Sequence, residues 1–163
     1  MNKIFFILAL FLFVSCSSEE KPGLKFTEKG REVPAFNADS AYNFIEAQLA
    51  FGPRVPNTDA HQQALNFFER KFKKYAGNNS VFIQRFETEG YNESLKLGNV
   101  IAAFNTSATD RIMLSAHWDS RPRADKDSVR TEEGILGADD GASGVGVLLE
   151  LARIFRDNPP PVG

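Results

Sequence analysis

Two short stretches hold the residues that can do chemistry. In "AHWDSRPRADKD" an apolar run ends in His117 and Asp119, and in "GADDGASGVGVLLELAR" Asp139 and Asp140 open an apolar helical pattern. Imidazoles and carboxylates at the ends of buried elements are costly unless something pairs with them, and the partner expected here is a divalent metal. If the strand geometry persists, His117 and Asp119 point the same way, because side chains two apart share a face. A carboxylate that holds a neutral imidazole also fixes its metal-binding tautomer. Asp140 starts the next helix, which can return over the same edge, and ligands of open α/β sheets collect outside the carboxyl ends of strands. Gly137, Gly141 and Gly144 let backbone pass close to the site, and Ser143 is a candidate helix cap.

A second account needs no metal. Asp139 and Asp140 would then only favour the positive end of a helix, worth roughly 0.3–1 kcal/mol, and His117 would be a polar boundary residue. Spacing alone leaves both accounts open. Trp118 should point away from its two neighbours and pack under the loop, Arg121 and Arg123 should be solvated, and His61 should be exposed on its helix.

The positioning elements follow from pattern. Asn37 or Asp39 can cap a helix through "SAYNFIEAQLAF", with Tyr42, Ile45 and Leu49 on one face and Gly52-Pro53 as the stop. Asn57 or Thr58 caps a second helix through "HQQALNFFERKFKKY", striped by Leu65, Phe68 and Phe72 and ended by Gly77. "SVFIQRFET", "LGNVIAAFN" and "DRIMLSAH" read as three strands, the third carrying a continuous apolar run from Ile112 to Leu114 suited to a strand covered on both faces. A loop from Trp118 to Gly137 leads to a helix striped by Leu148, Leu149, Ala152 and Phe155, broken at "DNPPPVG". This order implies a layered α/β domain with a central mixed β-sheet and helices on both faces.

The chain has 163 residues, 42% hydrophobic and 25% charged, with net charge −2. That suffices for one core, and without a basic stripe no nucleic-acid partner is expected. Residues 1–15, "MNKIFFILALFLFVS", carry Lys3 and an apolar run from Ile4 to Val14, too short for a bilayer span of roughly 20 residues but suited to a secretory signal. "FVSC" resembles a bacterial lipoprotein box, which makes Cys16 the lipidated residue, although Phe13 replaces the usual Leu. The plainer alternative is a cleaved signal with a stray cysteine. Residues 16–36 then read as a lipid-bearing tether, so the expected location is the bacterial cell envelope, exported and lipid-anchored, with the membrane as a partner. Cys16 is the sole cysteine, so no disulfide forms within the chain.

"NVIAAF", "RIMLSAHWDSRP" and "GADDGASGVGVLLELAR" resemble, in order, the first half of the zinc aminopeptidase and glutaminyl cyclase superfamily. Together with "FGPRVPNTDAH", they most resemble glutaminyl-peptide cyclotransferases of bacterial lipoprotein type. The resemblance spans residues 37–157 and implies that residues 37–163 are an N-terminal portion of a zinc-aminopeptidase-like domain, incomplete at its C-terminus. It implies Asp140 as a metal ligand, with "GASG" after it, and Asp139 as a helix-start neighbour. His117 matches the second-metal histidine of two-metal aminopeptidases and a near-site residue of single-zinc cyclases. Asp119 matches the catalytic carboxylate that orients that histidine. The remaining glutamate ligand, the catalytic glutamate and the distal histidine have no counterpart here, since Glu150 lies within the helix stripe.

The implied activity is zinc-dependent conversion of an N-terminal Gln of a peptide or protein to pyroglutamate, with release of ammonia. The 163-residue piece alone is expected to be inactive. One alternative is a zinc aminopeptidase, with two Zn2+ ions where a cyclase has one. The other is a non-enzymatic lipoprotein that keeps the fold as a binding module.

Overall fold

The computed structural model describes residues 32–163, so the signal segment and Cys16 lie outside the described residues. The helix α1 (Ala38–Leu49) begins where Asn37 accepts a hydrogen bond from the Ser40 amide at 2.9 Å. It buries Ala41, Phe44 and Gln48, while Tyr42 is exposed. The expected Tyr42–Ile45–Leu49 face is therefore corrected by about one residue. The cause is Gln48, whose amide donates to the Ala142 carbonyl at 3.0 Å and draws its own face inward.

Thr58 caps α2 (Asp59–Ala76), and Gly77, at φ 89°, ends it. The stripe of α2 meets Phe44, Val145, Leu149 and Ala152 in one core. The strands β1 (Val81–Gly90) and β2 (Glu93–Ala102) pair antiparallel from Gly90↔Glu93 to Val81↔Ala102. Their two-residue turn, Tyr91 and Asn92, has positive φ at both positions, the conformation that matches hairpin twist. Gly98 of β2 packs directly on Leu65, where a β-carbon would come within 3.1 Å.

The third predicted strand is not formed as a strand. Residues 111–117 carry no ladder, and Ile112, Met113 and Leu114 are 66, 89 and 53% exposed. A continuous apolar run becomes a strand only where neighbours satisfy its backbone, and a cleft of about 870 Å³ separates this run from β2. Its backbone partner is Gly163, which donates to the Asp110 carbonyl and accepts from the Ile112 amide, both at 2.8 Å. That is the bonding pattern of a parallel pair. Among the described residues the sheet is the open two-stranded antiparallel hairpin, and this parallel contact lies outside it.

The last helix, α3 (Ser143–Asp157), packs on both α1 and α2. It buries Val145, Leu149, Ala152 and also Glu150. Glu150 accepts two bonds from Arg153, at 2.6 and 2.8 Å, and one from the Asn37 amide at 3.0 Å. The Arg153 bonds hold its carboxyl down at about 2 against the opposing effect of burial. α3 is thereby tied to the first turn of α1, and its N-terminus is fixed over the end of the extended segment.

Candidate functional site

The site begins where the extended segment ends. His117 Nδ1 lies 3.1 Å from the backbone carbonyl of Asp119 and 3.4 Å from its Oδ1. Carbonyl and carboxylate oxygens only accept, so Nδ1 is the donor here, and in the neutral ring Nε2 presents its lone pair. Nε2 faces Asp140 Oδ1 at 3.9 Å. All three side chains are open to solvent, at 54% for His117, 45% for Asp119 and 75% for Asp140.

Asp140 reaches this position through an irregular turn, Ala138–Ala142, that precedes α3. Asp139 and Asp140 have extended backbone angles, and the peptide bond between them is cis. Gly141, at φ +105°, lies close enough that a β-carbon would stand 3.3 Å from the His117 ring. Ser143 does not cap α3 as expected. It donates instead to Asp139 Oδ1 at 3.1 Å, because the non-helical turn puts Asp139 in front of it.

With the ring neutral, two lone-pair-bearing atoms face each other, and a cation, either a metal ion or a proton on Nε2, would join them. Zinc–nitrogen and zinc–oxygen bonds of about 2.0–2.2 Å in a tetrahedral site put two ligand atoms of one ion about 3.3–3.5 Å apart. At 3.9 Å the two atoms would have to close by about half an ångström to share one ion, and the donor types suit zinc. The fit is to part of a ligand set, since among the described residues no group of three or more His, Cys, Asp or Glu is placed to hold a metal.

The peptidase family M28 profile matches residues 99–162, which contain the whole site. The crystal structure of Tannerella forsythia glutaminyl cyclase is 46% identical, with TM-score 0.75, over 79% of this chain and 45% of that one. The chain is thus similar both to M28 peptidases and to glutaminyl cyclases. A leucine aminopeptidase precursor from Bacteroides thetaiotaomicron is 41% identical, TM-score 0.76, over 80% of this chain and 46% of that one. A Zn-dependent exopeptidase from Parabacteroides distasonis is 40% identical, TM-score 0.72, over 80% of this chain and 45% of that one. The chain spans less than half the length of the superfamily relatives it matches.

The superfamily residues around the site are packed more tightly than sequence suggested. Trp118 turns away from its neighbours, as expected, and donates through Nε1 to the Gly98 carbonyl at 3.1 Å. His61, expected to be exposed, is 5% exposed and stacks on Trp118 with ring centroids 4.2 Å apart. The stacking explains the burial: α2 turns His61 toward the indole rather than toward water. Arg121 and Arg123 are solvated as expected, pairing with Asp125 at 2.8 Å and Glu132 at 3.4 Å.

Arg54 was not singled out from the sequence. It is fully buried and donates to the carbonyls of Trp118, Leu136 and Gly137, each at 2.8 Å. Burial pushes its guanidinium below the ordinary value, against a smaller opposing pull from Asp119. The only sequence signal was an arginine between two prolines in "GPRVP", ahead of a helix cap.

Proposed function

We propose that the complete protein is a zinc-dependent glutaminyl-peptide cyclotransferase, closing the N-terminal Gln of peptides or proteins to pyroglutamate. The observation that carries this reading is the convergence of His117 Nε2 and Asp140 Oδ1 at 3.9 Å, in a chain 46% identical to a glutaminyl cyclase. In the reaction the α-amine nitrogen bonds to the γ-carboxamide carbon, the carbon–nitrogen bond of the amide breaks, and ammonia leaves. A bound zinc supplies Lewis-acid polarisation of the amide carbonyl. Asp140 would be a ligand and His117 a ligand or close neighbour of the ion. Asp119 serves by holding the His117 tautomer and ring angle, so that Nε2 faces the site.

A catalytic zinc takes about three protein ligands, and here two donors converge. Residues 1–163 alone should therefore bind zinc weakly and leave N-terminal Gln unchanged. The export signal and Cys16 support a lipid-anchored protein of the cell envelope, acting on peptides outside the cytoplasm.

The likeness to a leucine aminopeptidase precursor at 41% identity favours a second reading, peptide-bond hydrolysis at the N-terminus with two metal ions. One experiment separates the two. The full-length protein is given a Gln-peptide and a Leu-anilide. Ammonia release without free amino acid supports the cyclase, and release of leucine overturns it.

A further inference from the structure

We infer that Arg54 is a positioning residue that holds the His117–Asp119 segment and the Asp140 turn in register. The two halves of the site come from segments joined by the loop from Trp118 to Gly137, which is cross-bonded from the Ile135 amide to the Arg121 carbonyl at 3.1 Å but carries no such bond at its two ends beside the site. Arg54 bridges them with one side chain. Its Nε donates to the Trp118 carbonyl, between His117 and Asp119, while Nη1 and Nη2 donate to the carbonyls of Leu136 and Gly137, just ahead of the Asp140 turn.

The chemistry of the fork makes this more than packing. A guanidinium is planar and presents its donors at fixed angles, so three good bonds from one group fix three acceptors relative to each other. No carboxylate forms an ion pair with Arg54 among the described residues, so its buried charge depends on these carbonyls and on a longer bond from Nη1 to the Gln48 carbonyl at 3.4 Å. The backbone of the same residue adds a fourth tie, its carbonyl accepting from the Ser120 amide at 3.2 Å. On the far side Gly137, at φ +62°, lies so close that a β-carbon would stand 3.1 Å from Arg54 Nη2. The substitution Arg54→Lys would keep the charge and lose the fan of donors, so it should not restore the register.

The zinc arm of the test rests on the metal reading above, whereas the exchange arm does not. Arg54→Met is made in the full-length protein and hydrogen exchange is followed at the amides of Ser120 and Ala142. These lie in the two clamped segments and bond to the Arg54 and Gly137 carbonyls. Exchange at both should rise about tenfold or more, with protection in α2 and the hairpin unchanged, since a tenfold change needs only the loss of a typical hydrogen bond's contribution. Zinc affinity, measured by chelator competition, should fall about 10- to 100-fold. Wild-type exchange at both amides overturns the inference, and so does unchanged zinc affinity in a protein that binds zinc. Should wild-type protein bind no zinc, the metal reading fails and exchange alone decides on Arg54. If Arg54→Met does not fold, Arg54→Lys is used: faster exchange at the two amides supports the clamp, and wild-type exchange sinks it.

Discussion

The His61 imidazole lies against the indole of Trp118, ring centroids 4.2 Å apart and planes 29° from parallel, directly beneath the residue that joins His117 to Asp119. Burial pushes the His61 pKa below 6.5, against a smaller opposing pull from Asp119. The unfolded chain therefore takes up a proton first as pH falls. Stability is complete above about 6.5 and declines below it, by up to about 1.4 kcal/mol per pH unit until the folded form also protonates. His61→Phe keeps a stacked ring and removes this titration. Melting temperatures at pH 7.5 and 5.5 should differ more in the wild type than in His61→Phe. Equal slopes would show that His61 does not titrate on unfolding.

Glu150 gives the opposite dependence. Its folded carboxyl is held at about 2, mainly by Arg153, against 4.5 when unfolded. The contribution is present above 4.5 and is lost as pH falls from there to about 2, on the order of 3 kcal/mol in all. Glu150→Ala removes the acceptor for both Arg153 and the Asn37 amide. It should cost about 2–4 kcal/mol at pH 7 by urea denaturation. Glu150→Gln should recover a fraction by keeping the Asn37 bond. A loss below 0.5 kcal/mol, within the range of a surface change, would mean that the α1–α3 tie is not stabilising.

The parts of this fold that sequence made legible are those fixed locally. Asn37, Thr58 and Gly77 bound their helices because a cap depends on residues three or four positions away. The His117–Asp119 pairing was legible for the same reason, being a two-residue spacing. The hairpin turn was not, because Tyr91 and Asn92 lack the glycine that usually marks positive φ. The run after Arg111 satisfied the apolar pattern of a strand, yet strand formation depends on neighbours that pattern does not report. Arg54 and His61 were missed for one cause. Their partners include three backbone carbonyls 64 to 83 residues away and an indole on a distant segment, and neither leaves a periodic trace.

Cys16 lies outside the described residues, and the prediction there rests on the lipoprotein-like box. A diacyl anchor on Cys16 would keep the protein with membranes, since two chains suffice for stable anchoring. Cys16→Ser should shift it from the membrane to the soluble fraction after cell lysis and ultracentrifugation. Equal membrane retention in both forms would argue for another anchor.

The metal prediction turns on the asymmetry of the two donors. Asp140 projects from a turn that Gly141 presses against the His117 ring, whereas His117 is steadied on its other side by Asp119. If both ligate one zinc, Asp140→Ala and His117→Ala should each lower zinc affinity of the full-length protein strongly, and turnover with it. Asp119→Ala should have a smaller effect, at most about 10- to 100-fold, because it removes the carboxylate 3.4 Å from Nδ1 but keeps the backbone carbonyl that accepts from it at 3.1 Å. Zinc content then assigns His117. A wild type with one zinc that keeps it in His117→Ala makes His117 a neighbour, while two ions falling to one make it a ligand of the second. Chelator-treated protein that retained full turnover would exclude zinc, and with it the reason His117 and Asp140 face each other.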